Sequence, residues 1–187
     1  MCPKSIALKK EPVVFIRNPW DFYVSFWAYD SKAFKTHPTN VFRELYGSEA
    51  RFDVFLENML LGDSNTRFSL PQKVEIPLVQ ILKDYDIGLL TFFYLYMTLE
   101  NTTPLNSGKL DLDSANPKVK TYKLENLNKE FEKIFKVSGT LGKSFRALAR
   151  KNVSAERDQY RSYYDDDLEG LILHKERYLI NKFNYKF

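Results

Sequence analysis

Val13-Val14-Phe15-Ile16-Arg17-Asn18-Pro19-Trp20-Asp21-Phe22-Tyr23-Val24-Ser25 is the stretch on which the fold turns. Its first four residues are β-branched or aromatic without alternation, the pattern of a strand covered on both faces. Pro19 suits the first turn of a helix, where its missing N–H leaves no hydrogen bond unmade. The segment therefore predicts a buried strand running directly into a helix. Arg17 leaves the carboxyl end of that strand, where open α/β sheets bind their ligands. Ser25 stands about two helical turns further on, so both side chains can address one phosphate.

Outward from this junction, the helix begun at Trp20 is expected to reach about Lys32, with Trp20, Tyr23, Trp27 and Phe34 near helical spacing as core aromatics. Ser31 to Asn40 and Gly62 to Gln72 read as loops around a helix over Arg51 to Leu61, which carries Phe52, Phe55, Leu56 and Met59 on one face. Val74 to Asp84 reads as a short helix broken at Pro77, and Asp86 to Glu100 as a longer one. Asn101 to Pro117 has the turn residues of an exposed connection. Val119 to Leu124 is the second credible strand, with Asn126 or Asn128 as cap of a helix reaching Phe135. Asp165, Asp166 and Asp167 fall in the first turn of a last helix, where they complement its dipole rather than bind metal. Leu168, Leu171, Ile172, Lys175, Tyr178, Leu179 and Lys182 continue that helix without interruption.

The 187 residues are 44% hydrophobic and 16% aromatic, enough for one domain that buries roughly two thirds of its unfolded surface. A single cysteine, Cys2, excludes an intramolecular disulfide and a multi-cysteine metal site. With His37 and His174 as the only histidines, a histidine zinc site is not expected either, and neither has the partner spacing of a catalytic base. The net charge of +4 suits anionic ligands but does not indicate nucleic acid. Lys4, Lys9, Lys10 and Glu11 interrupt any signal-peptide core, and the apolar stretch Ile87 to Leu99 is too short to span a bilayer. A cytoplasmic protein without membrane contact is the expectation, and the sequons at Asn101 and Asn152 read as chance.

From Lys133 to Ala155 the chain carries no acidic residue, while Lys136, Lys143, Arg146, Arg150 and Lys151 are basic. Ser138-Gly139-Thr140-Leu141-Gly142-Lys143-Ser144 lies inside this stretch, but its glycine spacing is not that of a Walker loop. A solvated basic loop balanced by Asp165, Asp166 and Asp167 is the plain reading.

Arg17-Asn18-Pro19 with Ser25 resembles the 3′-phosphate-binding motif of sulfotransferases that use 3′-phosphoadenosine 5′-phosphosulfate (PAPS). Lys123-Leu124-Glu125-Asn126-Leu127, Arg150-Lys151-Asn152-Val153-Ser154, Tyr160-Arg161-Ser162-Tyr163-Tyr164 and the ending Phe183-Asn184-Tyr185-Lys186-Phe187 resemble the bacterial and carbohydrate-type branches of the same superfamily. The resemblance implies an α/β, sulfotransferase-like P-loop-type fold with a small parallel sheet and many helices, forming a single domain over residues 1–187. It implies PAPS as cosubstrate, no metal, and an alcohol or amine acceptor. The residues it assigns to the cosubstrate are Arg17, Ser25, Arg150 and Lys151, the last two in the basic loop that closes on the 3′-phosphate and adenine.

The family's loop of the type Pro-Lys-(Thr/Ser)-Gly-(Gly/Thr)-(Thr/Ser), which holds the 5′-phosphosulfate at a helix amino end, has no good match. Pro3-Lys4-Ser5 is followed by Ile6, Ala7 and Leu8, where small residues are needed. Met1-Cys2-Pro3 stands where a catalytic His-x-Pro would be. Two strands are also too few for a stable open sheet. The resemblance therefore implies a chain N-terminally truncated relative to the family, with no assignable catalytic residue and no activity of its own. The alternative is a non-catalytic 3′-phosphoadenosine nucleotide-binding protein or truncated remnant. A single-stranded nucleic-acid binder is the third option, but no stacking-platform motif accompanies the charge.

Overall fold

The computed structural model describes residues 13–36, 51–62, 67–69, 75–98, 119–127, 129 and 159–187. Their elements are β1 (Val13–Ile16), α1 (Pro19–Thr36), α2 (Phe52–Leu60), β2 (Arg67–Ser69), β3 (Glu75–Pro77), α3 (Leu78–Asp84), α4 (Leu89–Thr98), β4 (Lys120–Lys123), α5 (Asp166–Lys175) and α6 (Arg177–Phe183), with 3-10 turns at Leu124–Asn126 and Tyr160–Tyr163. The described chain is mixed α and β, mostly helical, with a small parallel sheet. Two compact units divide it: Met1–Arg17 with Tyr94–Ala155, and Asn18–Phe93 with Glu156–Phe187.

In the first unit β1 and β4 run parallel, Val13 opposite Lys120 and Ile16 opposite Lys123. Both expected strands are present, but β1 is not covered on both faces. Val14 and Ile16 are buried, whereas Val13 is 39% exposed and Phe15 half-buried. The register explains the split, because paired residues of a ladder leave the sheet on the same side. Val13, Phe15, Lys120 and Tyr122 share the more open face; Val14, Ile16, Thr121 and Lys123 share the other. The unbroken apolar run in the sequence hides this alternation.

The second unit begins at a helix start built by three residues within four positions. The Asn18 side-chain oxygen accepts from Trp20 N at 3.1 Å and Asp21 N at 3.4 Å, Pro19 takes the first helical position, and Asp21 sits in the first turn. Each choice is what an open helix amino end asks for, since its first N–H groups have no partner in the helix. The Asn18 amide also donates to the Lys186 carbonyl at 3.1 Å. Along α1, Trp20, Tyr23 and Val24 are buried, and Phe26 stacks on Phe55 of α2 with ring centroids 6.0 Å apart. As expected, α2 buries Phe52, Phe55, Leu56 and Met59, and Leu60 joins them.

The 3-10 turn and the chain end close over the same helix. Tyr164 donates its hydroxyl to the Trp20 carbonyl at 2.8 Å, and the Phe187 ring lies 5.5 Å from Trp20 and 5.8 Å from both Tyr160 and Tyr164. Burial is the main cause that pushes the Tyr164 hydroxyl far above its ordinary range. Asp165 caps α5, accepting from Leu168 N at 2.9 Å, with Asp166 and Asp167 in the first turn.

Three expectations are corrected here. The Gly62 to Gln72 loop contains β2, which pairs antiparallel with β3. The helix read over Val74 to Asp84 starts only at Leu78, because a residue before proline is pushed to extended backbone and Ile76 stands before Pro77. The last helix is also interrupted: α5 stops at Lys175 and α6 resumes at Arg177, with Glu176 at φ −102°, ψ 14° between them.

Candidate functional site

Parallel strands present their carboxyl ends on one edge, and in open α/β folds that edge is where ligands bind. Here it consists of Ile16 and Lys123, which are register partners, followed by Arg17 on one strand and Leu124 on the other. Arg17 and Lys123 are both half-buried, so two cationic side chains flank this edge without being lost in the core. The Leu124–Asn126 turn brings exposed Glu125 next to them in sequence. A half-buried guanidinium at such an edge is a geometry that charge-assisted, bidentate hydrogen bonding to a phosphate can use.

Of the residues singled out in the sequence, Arg17 belongs to the first unit and Ser25, half-buried, to α1 of the second. Arg150, Lys151, His37, Cys2 and the whole Lys133 to Ala155 stretch lie outside the described residues. Among the described residues no group of three or more His, Cys, Asp or Glu side chains can hold a metal ion, and no helix is long and apolar enough to cross a membrane.

The second unit contains an ionisable cluster that local sequence patterns do not reveal. Glu176 is fully buried. Its Oε1 accepts from Tyr23 Oη at 2.6 Å and Leu90 N at 2.9 Å; its Oε2 accepts from Thr91 N at 2.9 Å and Thr91 Oγ1 at 2.6 Å. Tyr23 Oη in turn accepts from Leu89 N at 2.7 Å. The carboxylate and phenol thus cap the amino end of α4, which has no acidic residue in its own first turn. Burial pushes the Glu176 carboxyl up, and the hydrogen bonds from Thr91, Tyr23 and the two amides oppose it. Burial, then the Glu176 charge, drives the Tyr23 hydroxyl well above its ordinary range. Every lone-pair direction is met by protein, so the cluster is a structural clamp rather than a site with room for substrate.

Beside it, Asp86 adopts φ 51°, in the left-handed region that Asp tolerates better than most residues. Its carboxylate accepts from Lys175 Nζ at 2.8 Å, Arg177 Nη1 at 2.9 Å and His174 Nε2 at 2.7 Å. The Lys175 hydrogen bond leads in holding Asp86 well below the usual carboxylate range; burial opposes it, and the Arg177 hydrogen bond and the neighbouring charges add to the lowering. Elsewhere in this unit, Trp27, Phe52 and Tyr163 meet ring against ring at centroid distances of 5.6 and 5.7 Å and line an open cleft of about 500 Å³ with Arg51, Asp53, Asp165 and Leu168. The rings touch each other, so they leave no cage between them for a cation. Arg51 and Asp53 are spent on one another as an ion pair.

No family model, no curated protein and no solved structure matches this chain.

Proposed function

We propose that this chain binds an adenine nucleotide carrying a 3′-phosphate, as a sulfotransferase-type protein that takes PAPS as sulfuryl donor for an alcohol or amine acceptor. The observation that carries the reading is Arg17, half-buried at the carboxyl end of a parallel strand pair and followed at once by the Asn18-Pro19 helix start. The sequence resemblance adds Ser25, and from outside the described residues Arg150 and Lys151, as further ligands. In this role Arg17 works away from the reacting sulfur. Binding energy at the 3′-phosphate positions the donor without touching the bond that breaks. Transfer itself needs a base for the acceptor proton and donors for charge developing on the bridging oxygen, and these residues supply neither. A 3′-phosphoadenosine nucleotide-binding protein without catalysis is the second reading, favoured by that division of labour.

Calorimetry with 3′-phosphoadenosine 5′-phosphate and with AMP tests the proposal. AMP should bind at least tenfold more weakly, about 1.4 kcal/mol. Arg17→Ala should weaken the bisphosphate by roughly 2 to 4 kcal/mol and Arg17→Lys should restore only part of that, since an ammonium cannot reproduce the guanidinium fork. Equal affinity for the two nucleotides, or an unchanged affinity in folded Arg17→Ala, would remove the basis for the reading. Transfer of radiolabelled sulfate from PAPS separates the catalytic reading from the binding one.

A further inference from the structure

The open cleft of the second unit, about 500 Å³, is of the size that small-molecule sites occupy. Its apolar wall is Phe52, Tyr163 and Leu168: the Phe52 and Tyr163 rings meet edge to face with centroids 5.7 Å apart, and Leu168 is buried. Its polar wall is Asp165 together with the Arg51–Asp53 ion pair. Asp165 Oδ1 accepts from Leu168 N at 2.9 Å, which holds the carboxylate beside the apolar wall. Among the described residues no donor reaches its other oxygen, Oδ2.

The charge lining this cleft does not cancel. Asp53 matches Arg51, so the Asp165 carboxylate is left unbalanced, and Asp166 and Asp167, both exposed, follow it directly. The positive end of the α5 dipole opposes them with only about half a charge, and the local field stays negative. Such a field repels phosphates and carboxylates and attracts a cation. The rings close on one another, so that cation belongs at the carboxylate rather than between ring faces. A flat apolar body attached to it can pack edge or face against the aromatic wall. A folded protein partner takes about 20 to 30 residues a side, whereas this lining has seven.

We propose that the cleft is a binding site for a small organic amine, whose ammonium pairs with Asp165 while its apolar body lies against Tyr163, Phe52 and Leu168. Asp165 is then a ligand as well as the cap of α5. None of these residues belongs to the nucleotide reading, so the amine site stands or falls apart from it.

Phenethylamine, its neutral isostere phenethyl alcohol and the anion phenylpropionate test the site in amide NMR titrations of the full chain. The amine should shift Phe52, Asp53, Tyr163, Asp165 and Leu168 saturably and bind about two- to fivefold more tightly than the alcohol, the margin an exposed ion pair allows. Rising salt should shrink that margin. The propionate should bind more weakly than either. Asparagine caps a helix about as well as aspartate, so Asp165→Asn should fold, bring the amine down to the alcohol and leave the alcohol unchanged. Tyr163→Leu should weaken amine and alcohol together; if that variant does not fold, the Asp165→Asn comparison decides alone. Equal affinity of amine and alcohol for the wild type, or an amine preference that survives Asp165→Asn, overturns the proposal. Saturable shifts confined to residues outside the cleft, or none with any of the three compounds, overturn it as well.

Discussion

Tyr23 and Glu176 stand 153 residues apart in sequence and share a 2.6 Å hydrogen bond in a fully buried setting. The pair does the work of a local capping residue at the amino end of α4, where Leu89, Leu90 and Thr91 point N–H groups at its oxygens. Because the donors at both carboxylate oxygens include a backbone amide, neither oxygen can become an NH2 group without facing a donor.

Glu176→Gln should therefore destabilise the fold despite its matched shape. The amide nitrogen is forced against Leu90 N or Thr91 N, and a buried donor left unpaired costs about 1 to 3 kcal/mol. Tyr23→Phe should cost about 1.5 to 3 kcal/mol, since it deprives both Glu176 and Leu89 N of a partner. Urea unfolding at neutral pH measures each. Losses below about 0.5 kcal/mol, the usual range of neutral surface changes, would show that the clamp is not needed.

Gly88 lies against the same pair. A methyl group there would sit 2.8 Å from Tyr23 Oη and closer still to the Glu176 carboxyl. Gly88→Ala should cost about 1 to 3 kcal/mol, the usual penalty of overpacking, and Gly170→Ala, where a methyl meets nothing within 4 Å, should not. In Gly170→Ala the helix interior gains instead from the lower entropy of alanine. Thermal melts of the two variants side by side decide this.

Acid should weaken the fold through Asp86. Its folded value lies below the ordinary 3.8, so its contribution is present above about pH 4 and is lost as the pH falls through that range. The side chain is 42% exposed, so screening keeps the contribution on the order of 1 kcal/mol or less. Asp86→Asn, which tolerates the left-handed backbone, should be less stable at pH 6 and should lose that part of the decline between pH 5 and 3. Glu176 acts oppositely: its raised value makes ionisation costly, and its contribution grows less favourable as pH rises above the ordinary 4.5. A Glu176→Gln difference from wild type that widens at low pH fits this sign; one that narrows contradicts it.

Thr121 Oγ1 is buried with no hydrogen-bond partner, on the face of β4 that also carries Lys123. Thr121→Val keeps the branched shape that strands favour and removes the unpaired hydroxyl, so it should stabilise by about 0.5 to 1.5 kcal/mol. A loss of stability would mean that the hydroxyl has a partner in solution.

The junction was legible because its information is local. Asn18 caps, Pro19 starts and Asp21 complements a helix within four consecutive positions, and Asp165 does the same for α5. The two strands followed from the composition of Val13 to Ile16 and Val119 to Leu124, whereas their parallel pairing was an expectation of the resemblance alone. What stayed hidden depends on partners far away in sequence. Glu176 sits at a position whose helical spacing reads as continuous, and only Tyr23 and Thr91 reveal why the helix breaks there. His174 showed no partner spacing because its partner, Asp86, is 88 residues distant. In β1 the uniform apolar run concealed which face was open, since Val13 and Val14 are chemically the same and differ only in what lies beside them. Arg150 and Lys151 lie outside the described residues.

The long-range cap has a consequence for synthesis. Leu90 and its acceptor on Glu176 are 86 residues apart, and a ribosome adding 5 to 20 residues per second takes roughly 4 to 17 s to cover that interval. During that time the nascent α4, with Leu89, Leu90, Phe92 and Leu95 along it, has an open amino end. Local helix propensity cannot close it early, because the closing oxygens have not been made. A chaperone that holds short apolar segments should therefore engage this chain while residues 89–98 wait for residue 176.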